Sequence, residues 1–283
     1  MTLPNVLIIG SMKAGTTSLY MDLADRPGAF LAQDKEPHAL CTDRVLSAEG
    51  RADYEAIYNQ ATPQAVCFDA STGYAKRPDF EGVVARALAV LPPGFKAIYL
   101  VRHPIDRIVS QHHHEHFEGL VGPSIDEAVR RHERYIQYSR YAFQLTPWLE
   151  QLGPDRVRVI RFEDYVSCRR ETVRDLLGFL NLPYQEQAET TARIYNKSQG
   201  KPVKSQAWEA VRNSGVYRRW LRPLAPPKVR LALQKLILPK AKASLAPPST
   251  ETINWLRESL VDDVNQLEAK IGRSMAWDGF ERQ

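Results

Sequence analysis

The chain predicts an α/β fold, with a central parallel sheet flanked by helices and helical additions towards the C-terminus. Three observations predict it. Short apolar runs recur at Val6–Ile9, Ala65–Ala70, Lys96–Val101 and Arg156–Phe162. Segments of helical spacing separate them, and strands that alternate with helices build a parallel sheet covered on both faces. Chemistry-bearing residues then cluster at Gly10–Thr17, Ser71–Tyr74 and Arg102–His103, directly after three of the runs. That is the carboxyl edge, where sheets of this kind take their ligands.

Each element has a local reason. Val6–Ile9 is β-branched and apolar, as a buried parallel strand requires. Leu19, Tyr20 and Leu23 have helical spacing after Thr16–Ser18. Gln33–Leu40 reads as a loop or strand end, because Pro37 discourages a helix through Glu36. A helical pattern follows around Ala52–Tyr58, then the strand Ala65–Ala70 and a turn at Ser71–Tyr74. Phe80–Leu91 reads as an amphipathic helix stopped by Pro92, Pro93 and Gly94. The strand Lys96–Val101 runs into Arg102 and His103, and Pro104 suits the first turn of the next helix. Helical stretches at Ile125–Tyr138 and Tyr141–Leu152, the strand Arg156–Phe162 and a helix over Tyr165–Leu180 complete the alternation. Ser249 or Thr250 caps a last helix with apolar residues at Ile253, Leu256, Leu260, Val264 and Leu267.

Composition narrows the function. At 283 residues the chain is normal for one α/β domain with helical additions, so residues 1–283 read as a single domain. Its 43% hydrophobic and 25% charged residues are globular values. A net charge of +5 suits an anionic cofactor or substrate. No nucleic-acid motif is present, so no nucleic-acid partner is expected. Cys41, Cys67 and Cys168 lack metal or disulfide spacing and read as reduced thiols. The first ten residues hold neither a basic leader nor a long apolar run. Together these give the expectation of a cytoplasmic protein. Residues 210–250 contain no acidic residue, many arginines and lysines, and repeated prolines. They read as a helical subregion with a solvated basic face, or as a peripheral contact with a membrane or anionic surface.

Asn5–Tyr20, NVLIIGSMKAGTTSLY, carries the first chemistry. A strand, a loop bounded by Gly10 and Gly15, and a helix start form an anion site. Unpaired N–H groups and the helix dipole point into the loop, and Thr16, Thr17 and Ser18 add hydroxyl donors. The spacing is close to a P-loop, but Thr16 stands where that motif has its lysine, and the lysine here is Lys13 inside the loop. The second stretch is Tyr99–His116. Arg102 follows a strand directly and Ser110 lies two helical turns on, so both can hold one phosphate.

Two motifs together resemble the sulfotransferases that use PAPS (3′-phosphoadenylyl sulfate). Lys13, Ala14, Gly15, Thr16 and Thr17 match the K-x-G-T-T of their 5′-phosphosulfate loop. Val101–Ser110 matches their 3′-phosphate segment, with His103 as a small variation. Lys35-Glu36-Pro37-His38 resembles the K-E-x-H segment of heparan-sulfate-type and bacterial members, with Ala39 and Leu40 in place of two aromatics. Ser71–Tyr74 resembles their S-P-x-Y, Lys197–Lys201 loosely resembles their late basic loop, and Leu267–Trp277 looks like the usual C-terminal end of bacterial members.

The resemblance implies the P-loop-like sulfotransferase fold, with PAPS as donor, PAP (adenosine 3′,5′-bisphosphate) as product and no metal required. It implies a sugar, glycolipid or small natural-product acceptor, sulfated on a hydroxyl or amine. Lys13, Glu36 and His38 are then catalytic, with Glu36 as base and His38 beside it. Lys13, Ala14, Gly15, Thr16, Thr17, Ser18, Arg102, Ser110 and Lys201 bind the donor, and Glu36, His38, Ser71 and Tyr74 line the acceptor site. Two rivals stand beside it. A P-loop kinase would need a metal carboxylate at a strand end, and Asp69 is at one. A non-catalytic anion-binding module would use the basic 210–250 region. His112, His113, His114 and His116 invite a zinc reading, but no third ligand stands at set spacing.

Overall fold

The computed structural model describes residues 2–24, 26–32, 35–63, 65–185 and 245–281. Five parallel strands form one sheet in the order β2-β3-β1-β4-β5. They are β1 (Val6–Gly10), β2 (Ala29–Leu31), β3 (Val66–Ala70), β4 (Lys96–Val101) and β5 (Val157–Arg161). The helices α1 (Thr16–Ala24), α2 (Ala48–Ala56), α3 (Val83–Val90) and α4 (Pro104–Phe117) connect them. After α4 come α5 (Ile125–Arg131), α6 (Arg134–Gln137) and α7 (Tyr141–Leu152), and after β5 come α8 (Phe162–Ser167), α9 (Arg169–Phe179) and α10 (Thr250–Ile271).

The strand alternation divides the core. Leu7 and Ile9 join Tyr99, Val101, Tyr141, Trp148 and α10 on one face of the sheet. Val6 and Ile8 join Ile98, Leu100, Leu19, Leu23 and the α9 residues Val173 and Leu176 on the other. Every residue of β1 is buried, which explains its unbroken apolar run. β1 lies between β3 and β4, so the chain reverses direction across the sheet there. The crevice at the carboxyl ends of these three strands is the switch point that favours a ligand.

Several boundaries differ from expectation. β2 has three residues and no apolar period long enough to read. α2 starts four residues before the helical pattern, at Ala48, because the Ser47 side chain accepts the Gly50 N–H and caps it. α3 begins at Val83 rather than Phe80, since Gly82 precedes it at a left-handed φ of 74°. The single helix expected over Ile125–Tyr138 is two, because His132 leaves α5 with extended backbone. The one expected over Tyr165–Leu180 is α8 and α9, parted at Cys168. Ser71–Tyr74 is a turn as expected, in the form of a 3-10 segment over Thr72–Ala75. Ser249 does cap α10, accepting the Thr252 N–H at 3.2 Å. Lys201 and residues 210–244 lie outside the described residues.

Candidate active site

The Gly10–Gly15 loop closes over the end of β4. The Ser11 N–H donates to the Leu100 carbonyl at 2.7 Å, and the Ala14 N–H to Ser11 O at 3.2 Å. Gly15 is required twice over. Its φ is +89°, and a Cβ there would stand 2.9 Å from the Phe162 ring. Lys13 also has positive φ, at 70°, so the tip of the loop is held in an unusual conformation. Thr16 and Ser18 are buried in the first turn of α1. The Lys13 charge reaches α4, where burial first, then His116 and Lys13, hold the His113 pKa below its ordinary value.

Arg102 lies against this loop. Its guanidinium donates to the Lys13 carbonyl at 3.4 Å and stacks 4.9 Å from the Phe162 ring centroid. Asp106 is 3.6 Å away in the first turn of α4. The Arg102 Nε is buried and has no hydrogen-bond partner among the described residues. An orphaned guanidinium N–H beside a loop of backbone donors fits an anionic group placed between them. Tyr141 fixes the backbone there. Its hydroxyl donates to Arg102 O at 2.7 Å and accepts from Arg102 N at 3.4 Å. Ser110 is half-buried two turns further along α4.

The Lys35–His38 segment faces the end of β3. Glu36 and His38 take left-handed φ values of 68° and 54°. Glu36 Oε1 accepts from Lys35 at 2.7 Å, and Oε2 lies 3.3 Å from His38 Nε2 and 3.2 Å from the Thr72 hydroxyl that donates to it. Burial pushes the Glu36 pKa up, but the His38 hydrogen bond and the Lys35 charge outweigh it and hold the pKa at about 2. The His38 N–H donates to Ser71 Oγ at 3.1 Å, and the Ser71 hydroxyl donates to Asp69 Oδ1 at 2.7 Å. Gly73 allows the close approach, because a Cβ there would meet His38 Nδ1 at 2.7 Å and Cys41 Sγ at 2.8 Å.

Asp69 closes the network from below. It is buried, and Tyr54 and Tyr74 each donate to its Oδ2 at 2.6 Å. Burial raises its pKa against the pull of these three hydroxyl donors. Its oxygens are therefore committed to the protein, unlike those of a strand-end carboxylate that presents itself to a metal. Tyr74 itself is buried, and it lines a cavity of about 380 Å³ with Phe80, Val84 and Trp148. Two of the α4 histidines turn elsewhere: His112 Nε2 is 3.1 Å from Gly122 O, and His116 Nδ1 is 3.0 Å from Val121 O.

A model of the sulfotransferase family matches residues 32–186, more than half of the chain. The chain belongs to the sulfotransferase family. The match begins after the Gly10–Gly15 loop, so the anion site there stands on its own geometry. A membrane-associated sulfotransferase, kil1, of Dictyostelium discoideum is 28% identical over 168 residues, or 53% of this chain and 34% of that protein. The chain thus spans about a third of that relative's length. The crystal structure of a sulfotransferase from Alicyclobacillus acidocaldarius aligns with a TM-score of 0.65 at 20% identity, covering 98% of this chain and 99% of that one. This sulfotransferase therefore has the P-loop-like fold expected of its family.

The structure brings Lys13, Gly15, Thr16 and Arg102 to one side of the crevice, and Glu36, His38 and Ser71 to the other. Sequence reasoning missed three residues that support them, Phe162, Tyr141 and Lys76. Phe162 packs on both Gly15 and Arg102. Tyr141 holds the Arg102 backbone, and Thr72 holds Glu36. Lys76, half-buried one turn beyond Thr72, lies 5.7 Å from the Tyr138 ring centroid. Burial lowers its pKa, and the Glu36 charge pushes it back up. The aromatic and acidic residues directly after β5 were the legible signal for Phe162, read only as the end of a strand.

Proposed function

We propose that this sulfotransferase transfers the sulfuryl group of PAPS to a hydroxyl or amine of a carbohydrate, glycolipid or small natural-product acceptor. The observation that carries the reading is the Arg102 guanidinium set against the Lys13 carbonyl, with its Nε orphaned. A backbone cradle and an arginine on one edge suit a nucleotide with phosphates at both its 5′ and 3′ positions. Bound PAPS supplies the sulfuryl group and leaves as PAP.

The residues then divide the work. Loop amides with Thr16, Thr17 and Ser18 hold the 5′ end, and Arg102 with Ser110 holds the 3′-phosphate. Lys13 stabilises the negative charge that develops on the leaving oxygen. Glu36 takes the proton of the acceptor as it attacks, with Lys35 and His38 keeping that carboxylate ionised and Thr72 helping to aim it. His38 is in place to pass the proton onward. A sulfuryl group carries less charge than a terminal phosphoryl group, so donors of this kind suffice without a metal carboxylate.

Calorimetric titration of the full chain with PAP, and separately with magnesium ATP, tests the reading. Binding of PAP with little binding of ATP is the expected result. A preference for magnesium ATP overturns it in favour of phosphoryl transfer.

A further inference from the structure

The turn that carries Arg102 is held from a direction outside the donor site. Glu163, the second residue of α8, places one carboxylate oxygen against α4 and the other against the C-terminal segment. Oε1 accepts the His103 N–H at 2.9 Å, and Oε2 accepts the Trp277 indole N–H at 3.1 Å. The Arg161 guanidinium pairs with Oε2 at 3.3 Å. His103 N is the amide directly after Arg102, so Glu163 grips the backbone that aims the guanidinium.

The C-terminal segment closes the other side of the same turn. The His103 ring lies edge-on to Trp277 and Phe280, with centroids 6.4 and 5.6 Å away. Its Nε2 is 3.1 Å from Asp278 O. Trp277 is buried and packs 5.7 Å from Tyr141, whose hydroxyl bridges the Arg102 N–H and carbonyl. Arg161 also donates to Ala276 O at 3.4 Å, and Arg273 pairs with Asp164. These contacts join β5, the start of α4 and residues 273–280 at the one place where Arg102 leaves the sheet.

From this clamp we infer that Glu163 is a positioning residue for donor recognition, and that it acts with Trp277 to aim Arg102 at the 3′-phosphate. The inference rests on the reading that Arg102 binds that phosphate. Glu163 touches neither donor nor acceptor in it. Both carboxylate oxygens are filled by donors from this chain, so the charge serves the turn rather than opposing the ligand. An arginine bound in two places by a rigid turn loses less freedom on meeting a phosphate than one on a loose loop.

The sign of the effect separates this role from simple electrostatics. Removing a carboxylate beside a phosphate-binding arginine should by charge alone tighten an anionic ligand. Loss of the clamp should weaken it. The test is calorimetric titration of wild type, Glu163→Ala, Glu163→Gln and Trp277→Phe with PAP and with AMP, which lacks the 3′-phosphate. Glu163→Gln keeps an oxygen for His103 and places an amide against the indole N–H, and it stands in if the alanine variant does not fold. Trp277→Phe keeps the packing and deletes only the indole donor.

Wild type should prefer PAP to AMP. Glu163→Ala should lose about tenfold in PAP affinity with AMP affinity held within about twofold, and Glu163→Gln and Trp277→Phe should lose less but in the same direction. Equal loss for both nucleotides, no loss, or tighter PAP binding overturns the positioning role. A wild-type protein that binds PAP no better than AMP instead removes the 3′-phosphate reading of Arg102, and the inference falls with it.

Discussion

The Thr72 hydroxyl donates to Glu36 Oε2 across 3.2 Å, joining the loop after β3 to the carboxylate on the Lys35–His38 segment. Thr72 stands in the turn that the sequence likened to S-P-x-Y, at the position of its proline. A residue that breaks the resemblance thus supplies a donor that proline lacks.

That contact has a pH signature. With its pKa near 2, Glu36 is ionised throughout the ordinary assay range. The acid limb of kcat/KM should therefore show no carboxylate step near pH 4 to 5. Thr72→Val deletes one donor to the charged form, so any shift of the Glu36 pKa is upward, but His38 and Lys35 should still keep it too low for a step at pH 4 to 5. A pH–rate profile of both proteins measures this. Glu36→Gln should lower kcat about 10²-fold or more, with PAPS affinity little changed.

Lys13 and Arg102 should separate kinetically. Lys13→Ala removes charge stabilisation needed mainly in the transition state and should lower kcat about 10²-fold, with little change in the KM for PAPS. Arg102→Ala should raise that KM at least about tenfold and alter kcat less. Steady-state kinetics at saturating acceptor distinguishes them, and the same pattern in both variants removes these assignments.

Gly15→Ala should abolish measurable PAP binding, because φ is +89° and the new methyl meets Phe162. The backbone strain alone is about 1 kcal/mol or more. Phe162→Ala in the same chain relieves the clash but leaves the strain. Thermal unfolding should thus show the double variant recovering part of the stability lost by Gly15→Ala, with coupling between the two sites.

Asp263 on α10 gives a stability prediction of opposite sign to that of Glu36. Its carboxylate accepts the Ala142 and Phe143 N–H groups at 2.9 Å each, yet burial pushes its pKa up to about 6. A raised carboxylate pKa contributes stability that is present below the unfolded value and is lost as pH rises through the folded one. Wild type should therefore lose about 1 kcal/mol relative to Asp263→Asn between pH 5 and pH 7. Urea unfolding at both values checks it. The depressed pKa of Glu36 contributes stability present above its ordinary value and lost as pH falls through about 2.

Local sequence alone determined the strands β1, β3, β4 and β5, the Gly10–Gly15 loop and the position of Arg102 at a strand end. Each depends on neighbours within a few residues: apolar runs, glycine spacing, a helix start after hydroxyls. Glu36 and His38 were legible only through resemblance, since a K-E-P-H loop has no period and a lone glutamate is ordinarily a solvated one. Tertiary structure decided the rest. The strand order put β1 between β3 and β4, and so placed Glu36 across the crevice from Lys13. The hydroxyl that holds the Glu36 carboxylate in place is that of Thr72, 36 residues away in sequence. The grip on the Arg102 turn needed Glu163 and Trp277, separated by 114 residues. Contacts of that span leave no periodic trace, because hydrogen bonds between distant segments depend on where the sheet and helices bring them, and only the folded chain sets that.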